Sequence, residues 1–166
     1  MKRIFFFLVL FCSFALAQGW NSTITTSINE PNLEKMDLTA NTSGIHVLIK
    51  RTNGNIVYYF LNSSGVVNAG KTYTMEADGD FPNIVASNEV VYALYKAGNN
   101  IKGKYSTNGG TSWSNLPNNI STTSNLCNGI DAVYENGYGI HLVWATRDNY
   151  PYFETYYYRL DLANNQ

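Results

Sequence analysis

Two cysteines, Cys12 and Cys127, are all that the 166 residues contain. That excludes the disulfide-dense scaffolds on which many small exported domains depend. Charge is equally scarce: 11 Lys and Arg stand against 12 Asp and Glu, for a net charge of −1. No basic stripe offers itself to nucleic acid, and no cationic amphipathic segment offers itself to a membrane surface. The only histidines are His46 and His141, and neither lies among Cys or acidic residues at metal-ligand spacing. Apolar residues nowhere recur with helical period, and beyond residue 17 no apolar run is long enough to cross a bilayer.

The first seventeen residues have the form of an export signal. Lys2 and Arg3 make a charged head, Ile4 to Phe14 an almost unbroken apolar run, and Ala15-Leu16-Ala17 a small-residue cleavage site. A mature chain beginning at Gln18 is expected to be secreted, periplasmic or at the cell surface. Phe11 before Cys12 argues against a lipoprotein cleavage site. Cleavage removes Cys12 and leaves Cys127 as a lone packed thiol. Export without a disulfide favours a bacterial source. About 150 residues remain, enough to build a core.

What fills those residues is Tyr, Asn, Ser, Thr and Gly, the mixture of short strands joined by turns. Three segments superimpose: Gly44-Ile45-His46-Val47-Leu48-Ile49-Lys50, Val90-Val91-Tyr92-Ala93-Leu94-Tyr95-Lys96 and Gly139-Ile140-His141-Leu142-Val143-Trp144-Ala145. Ile45, Val91 and Ile140 are equivalent, at separations of 46 and 49 residues. A strand precedes each segment (Met36–Thr39, Pro82–Val85, Ile130–Val133) and another follows (Ile56–Phe60, Ile101–Tyr105, Glu154–Tyr158). Short strands at a period in the forties are a propeller-blade signature.

The sharpest motif is Ser106-Thr107-Asn108-Gly109-Gly110-Thr111-Ser112-Trp113. Asn108 is suited to an Asx-turn, the glycines to positive φ, the Ser106 and Ser112 hydroxyls to remaining turn groups, and Trp113 to burial beneath the hairpin. A plain Asn-Gly hairpin explains less, because Ser106, Ser112 and Trp113 also stand at fixed offsets. The octad resembles the Asp-box, or BNR repeat, of the sialidase-like β-propellers, with Asn in the Asp slot and Ser in the Thr slot. Ser63-Ser64-Gly65 falls at the matching place in the first repeat as a worn-down copy, and Asp161 falls near it in the third.

The resemblance implies an all-β chain: a partial β-propeller of about three four-stranded antiparallel blades spanning residues 18–166, half of a six-bladed ring. The third repeat lacks its outermost strand, while Gly19-Trp20-Asn21-Ser22-Thr23-Ile24 resembles Ser112-Trp113-Ser114-Asn115-Leu116 and reads as a spare one. A ring of six blades at this period needs roughly 290 residues. Either the chain is the front part of a longer protein, or two copies complete one ring. Its end in mid-turn at Asn164-Asn165-Gln166 favours the first, and a homodimer is expected only if the chain is complete.

Family enzymes imply a triad of Arg on the substrate carboxylate, a Tyr-Glu nucleophile and an Asp acid/base. Arg51, Arg147 and Arg159 are the only arginines after the signal, and none lies in the expected Arg-Ile-Pro motif; Phe81-Pro82-Asn83-Ile84 stands in that context instead. Among Asp78, Asp80, Glu135 and Glu154 no spacing singles out a glycosidase pair. Glu76-Ala77-Asp78-Gly79-Asp80 offers Asp78 and Asp80 to Ca²⁺, although a solvated loop explains it more simply. Asp37, Asn83 and Asp131 share one repeat position at the channel mouth and are the candidate ligand-binding residues for sugar hydroxyls. Capping of a neighbouring backbone is the simpler role. His46, Tyr92 and His141 are equivalent to one another and read as packing groups, and Trp144 with Tyr156-Tyr157-Tyr158 as packing between blades. The expected function is recognition of a glycan or an extracellular protein without catalysis; the alternative is part of a sialidase-type glycoside hydrolase whose catalytic residues are mostly absent.

Overall fold

A computed structural model describes residues 25–88, 90–116, 120–121, 128–147 and 151–160. The signal segment, the spare strand at Gly19–Ile24, Cys127, Asp161 and the chain end lie outside the described residues. Eleven strands are described: β1 (Leu33–Asn41), β2 (Gly44–Arg51), β3 (Ile56–Leu61), β4 (Tyr73–Glu76), β5 (Gly79–Ser87), β6 (Val90–Ala97), β7 (Asn100–Ser106), β8 (Ser114–Asn115), β9 (Ile130–Glu135), β10 (Gly139–Thr146) and β11 (Glu154–Leu160). The only helical turn among them is one of 3-10 type at Ala69–Lys71.

These strands form three antiparallel sheets, β1-β2-β3-β4, β5-β6-β7-β8 and β9-β10-β11. The register confirms the repeat to the residue. Ile45 pairs with Leu61, Val91 with Ser106, and Ile140 with Leu160. On the other side Asp37 pairs with Leu48, Asn83 with Leu94, and Asp131 with Val143. Sequence neighbours pair throughout, as short turns dictate.

The sheets stack face to face, with the leading strands β1, β5 and β9 side by side. One core cluster joins Leu48, Ile56, Tyr58 and Phe60 of the first sheet to Ile84, Val91, Ala93 and Tyr95 of the second. Another joins Val85, Tyr92, Leu94 and Ile101 of the second to Ile140, Leu142, Trp144 and Leu160 of the third. A third covers the far face of the first sheet, where Ile28 packs on Val47, Ile49, Val57 and Leu61. Central strands are therefore buried on both faces, which is why Val47-Leu48-Ile49 runs apolar without alternation. Each such side chain contributes about 1.5–3 kcal/mol on burial.

The third sheet differs. Trp144 is buried in the second cluster, but Tyr156, Tyr157 and Tyr158 are exposed on the edge strand β11. The tyrosine run is not buried between sheets: Tyr157 lies opposite Val143 on the face turned away from the second sheet, while Tyr156, stacked on Trp144, and Tyr158, opposite Leu142, lie on the face turned toward it but stay exposed at the sheet edge.

Candidate functional site

The Ser106–Trp113 turn is built by its own side chains. Asn108 Oδ1 accepts the Ser112 N–H at 3.0 Å, and Asn108 Nδ2 donates to Ser112 Oγ at 2.9 Å. Ser106 Oγ accepts the Gly110 N–H at 2.8 Å and donates to Asn108 Oδ1 at 2.9 Å. Asn108 thus closes the loop from both ends of its amide. Replacing Asn108 with Ala is expected to cost about 1–2 kcal/mol, since the buried Ser106 loses one of its partners and the Ser112 N–H loses its acceptor; urea unfolding measures it, and a cost near zero would mean water replaces the amide fully.

In the first sheet the matching turn works differently. Asn62, not Ser63, accepts the Ser64 and Val66 N–H groups, both at 3.0 Å, while Gly65 has φ +76° at the place where Gly110 has φ +84°. The glycine is kept and the Asx residue has moved by one.

The finished turn docks on the first sheet. The Trp113 indole meets the Tyr58 ring edge-on, with centroids 4.9 Å apart. Tyr58 OH lies 2.7 Å from His46 Nδ1. Burial pushes the Tyr58 hydroxyl up, and burial with the nearby Lys71 charge pushes His46 down to about 4. His46 is thus a neutral packing residue, as its place on the strand suggests. His141 Nδ1 and Tyr157 OH repeat the pair at 2.7 Å in the third sheet, where Glu135 Oε2 lies 2.7 Å from His141 Nε2. Because the first sheet uses the same pair for packing, the Tyr–His contact belongs to the repeat and does not mark a nucleophile.

Asp37, Asn83 and Asp131 come together. Asp37 Oδ2 accepts the Ile84 N–H of the next sheet at 2.8 Å, and Oδ1 caps Leu38 N at 2.8 Å. Asn83 Nδ2 donates to Asp131 Oδ1 at 3.4 Å, and that oxygen also caps Ala132 N at 3.0 Å. These bonds tie each leading strand to the next, so the simpler capping role is present. The three residues also line one groove of about 300 Å³, together with Thr39 and Tyr134. Asn83 is nearly buried and its Oδ1 has no hydrogen-bond partner. Tyr134 was not marked by any motif; its signal is its position three residues after Asp131 on β9.

The acidic loop is placed against lysines. Asp80 Oδ1 lies 2.7 Å from Lys35 Nζ and 3.3 Å from Lys50 Nζ. Burial raises the Asp80 pKa, but the Lys35 hydrogen bond and the two ammonium charges prevail and hold the carboxyl below its ordinary range. Asp78 and Asp80 border a groove of about 480 Å³ with Lys50 and Lys96. A cation bound by Asp80 has to displace both ammoniums. No group of three or more His, Cys, Asp or Glu suited to a metal occurs among the described residues.

The strand β5 carries a bulge between Asp80 and Asn83, where Phe81 takes φ +49° and its ring lies 4.0 Å under Lys35 Nζ. Arg51 is held by Glu30 at 2.7 Å, and Arg147 stacks over the Phe153 ring at 4.7 Å. Arg51 belongs to the first sheet, while Arg147 follows β10 and Arg159 lies in β11 of the third.

No family model matches the chain, and no curated protein matches its sequence. Among solved structures it is similar to the NanB sialidase of Streptococcus pneumoniae, seen as a point mutant. That match has a TM-score of 0.51 at 14% identity and covers 78% of this chain. The chain spans about one fifth of that protein, 21% of its length. With the three stacked antiparallel sheets, the likeness defines the fold as part of a β-propeller, each sheet being one blade and the third blade having three described strands.

Proposed function

We propose that the chain is an exported, non-catalytic propeller module that recognises a glycan or an extracellular protein, and that it forms part of a longer secreted protein. The supporting observation is the groove along the leading strands, where the buried, unpartnered Asn83 Oδ1 stands beside Asp131, Thr39 and Tyr134. Two neighbouring sugar hydroxyls can donate, one to Asn83 Oδ1 and one to the Asp131 carboxylate, while a tyrosine ring supplies an apolar wall. Arg51 is already committed to Glu30, which favours recognition over a carboxylate clamp. We read the Ser106–Trp113 turn as an Asp-box with a structural role, because its side chains are spent on one another and on Tyr58.

The test is a glycan array followed by titration calorimetry on any sugar retained. Asp131 is exposed, so Asp131→Ala leaves the core intact. It is expected to weaken binding roughly 10- to 100-fold, the value of a charge-assisted hydrogen bond. Unchanged affinity in both Asp131→Ala and Asn83→Ala would remove the groove from the proposal.

The likeness to a sialidase favours one second reading, a sialidase-type glycoside hydrolase whose catalytic residues lie mostly outside this chain. Release of a fluorogenic aglycone from a sialoside by the product of the full reading frame, and not by this chain, would establish it.

A further inference from the structure

The trailing face of the first blade is keyed to the turn of the second. Tyr58, held by His46 Nδ1 at 2.7 Å, is 0% exposed, with the Trp113 indole edge-on to its ring. Gly110 lies bare against it: a Cβ there would come within 2.0 Å of Tyr58 OH. Lys71 Nζ of the first blade donates to the Gly109 carbonyl at 3.0 Å and holds the turn from the side. The second blade has no such pair. Tyr92 stands there for His46, and Gly103, opposite Leu94 as Tyr58 is opposite Leu48, stands for Tyr58. Leu116 of the same blade fills the space, since a Cβ on Gly103 would lie 2.7 Å from its Cδ1. The third blade in turn has no octad to offer: by register Leu160, Leu162 and Asn164 fall at the positions of Ser106, Asn108 and Gly110. At these two junctions the His–Tyr pair and the complete turn are present together and absent together.

The third blade has the pair again. His141 Nδ1 lies 2.7 Å from Tyr157 OH, and Tyr157 stands opposite Val143 as Tyr58 stands opposite Leu48. Yet Tyr157 is 61% exposed and Val143 41%, and no turn lies over them among the described residues. We propose that this face seats a fourth blade of the longer protein, and that the fourth blade carries a complete octad turn. Its glycine, at positive φ, lies bare against Tyr157, and its indole meets the Tyr157 ring edge-on. The occupant follows from the seat. A tyrosine held upright by histidine leaves no room for a Cβ where the glycine lies, and it offers an aromatic ring to an aromatic edge. The contact continues a junction the chain already makes once, between its first and second blades, and takes Val143 and Tyr157 out of water as Leu48 and Tyr58 are taken out. The inference rests on the reading of the chain as part of a longer protein and is independent of what the groove binds.

The full reading frame and its product test it. Translated past Gln166, the frame is expected to encode Ser-x-Asx-x-Gly-x-Ser/Thr-Trp, with the Trp roughly 70 residues past Ile140, where the repeat places it. In the purified full product, nitration by tetranitromethane followed by peptide mass spectrometry is expected to modify Tyr157 at least tenfold more slowly than Tyr152, which is 74% exposed. Tyr58 is the buried control. Replacing the indole of the new turn by alanine is expected to restore nitration at Tyr157 while Tyr58 stays protected. Tyr157 as reactive as Tyr152 in the unaltered product overturns the proposal. Protection that survives loss of the indole overturns it equally and assigns the face to another occupant. A frame that continues without the octad overturns the inference and leaves the longer-protein reading standing, whereas one that stops at Gln166 overturns both.

Discussion

Gly110→Ala is expected to destabilise this protein by about 3 kcal/mol or more, a large part of the 5–15 kcal/mol that holds an ordinary domain together. Two costs add. Gly110 has φ +84°, a conformation in which a Cβ costs roughly 1–2 kcal/mol. The new methyl would also lie 2.0 Å from Tyr58 OH and 2.5 Å from its ring carbon. Tyr58 is wholly buried, held by His46 and roofed by Trp113, so it has nowhere to turn. Gly109→Ala is the control. It shares the backbone penalty, with φ +61°, but its methyl would meet only the flexible Lys71 Nζ at 3.4 Å and Ser43 Oγ at 3.7 Å. About 1 kcal/mol is expected there. Urea midpoints of the two variants separate turn strain from blade packing. The double variant Gly110→Ala/Tyr58→Leu should be clearly less destabilised than the sum of its singles, since the clash needs both partners. Equal losses for the two alanines would show that the turn does not key into the first blade.

The repeat was legible because strand register leaves a trace in sequence. Ile45, Val91 and Ile140 superimpose by pattern, and in the fold each pairs with the closing residue of the following strand, Leu61, Ser106 and Leu160. The octad was legible for the same reason, since Asn108, Gly110 and Ser112 are forced by backbone geometry. Partners across the blade junction were not legible. Nothing in the octad says that Gly110 must be bare so that Tyr58 can sit against it, because the contact joins residues more than fifty positions apart. The tyrosine run misled for a related reason: Tyr156, Tyr157 and Tyr158 have the composition of a packed strand, but burial depends on the position of the strand in its sheet, and β11 is an edge strand. Asp37, Asn83 and Asp131 lay between these extremes. Their common position was visible, while their partition into two uses was not. Asp37 is spent on Ile84, and Asn83 keeps one oxygen unpartnered.

Stability is expected to fall as the pH is lowered from about 6.5 to about 4, through His46. Burial first, and the Lys71 charge second, depress the imidazole from its ordinary 6.5 to about 4 in the folded chain. Between those values the unfolded chain binds a proton at this site and the folded chain does not. The contribution of neutral His46 is therefore complete above about pH 6.5, declines as the pH falls through the window, and levels off below about 4. Integrated over the window it amounts to about 3 kcal/mol. Asp80 and Glu30 act lower. Burial raises both, but the Lys35 bond to Asp80 and the Arg51 bond to Glu30 hold them below the ordinary carboxyl range. Their contribution is full above that range and is lost only as the pH falls through their depressed values, so it adds little in the histidine window. His46→Gln keeps a side-chain partner for Tyr58 OH and removes the titration. Urea midpoints at half-unit intervals from pH 7.5 to 4 should fall steeply for the wild-type chain and clearly less for His46→Gln. Parallel curves would mean that the His46 ring takes up its proton in place, and that the junction beneath Trp113 opens to water far more readily than its packing implies.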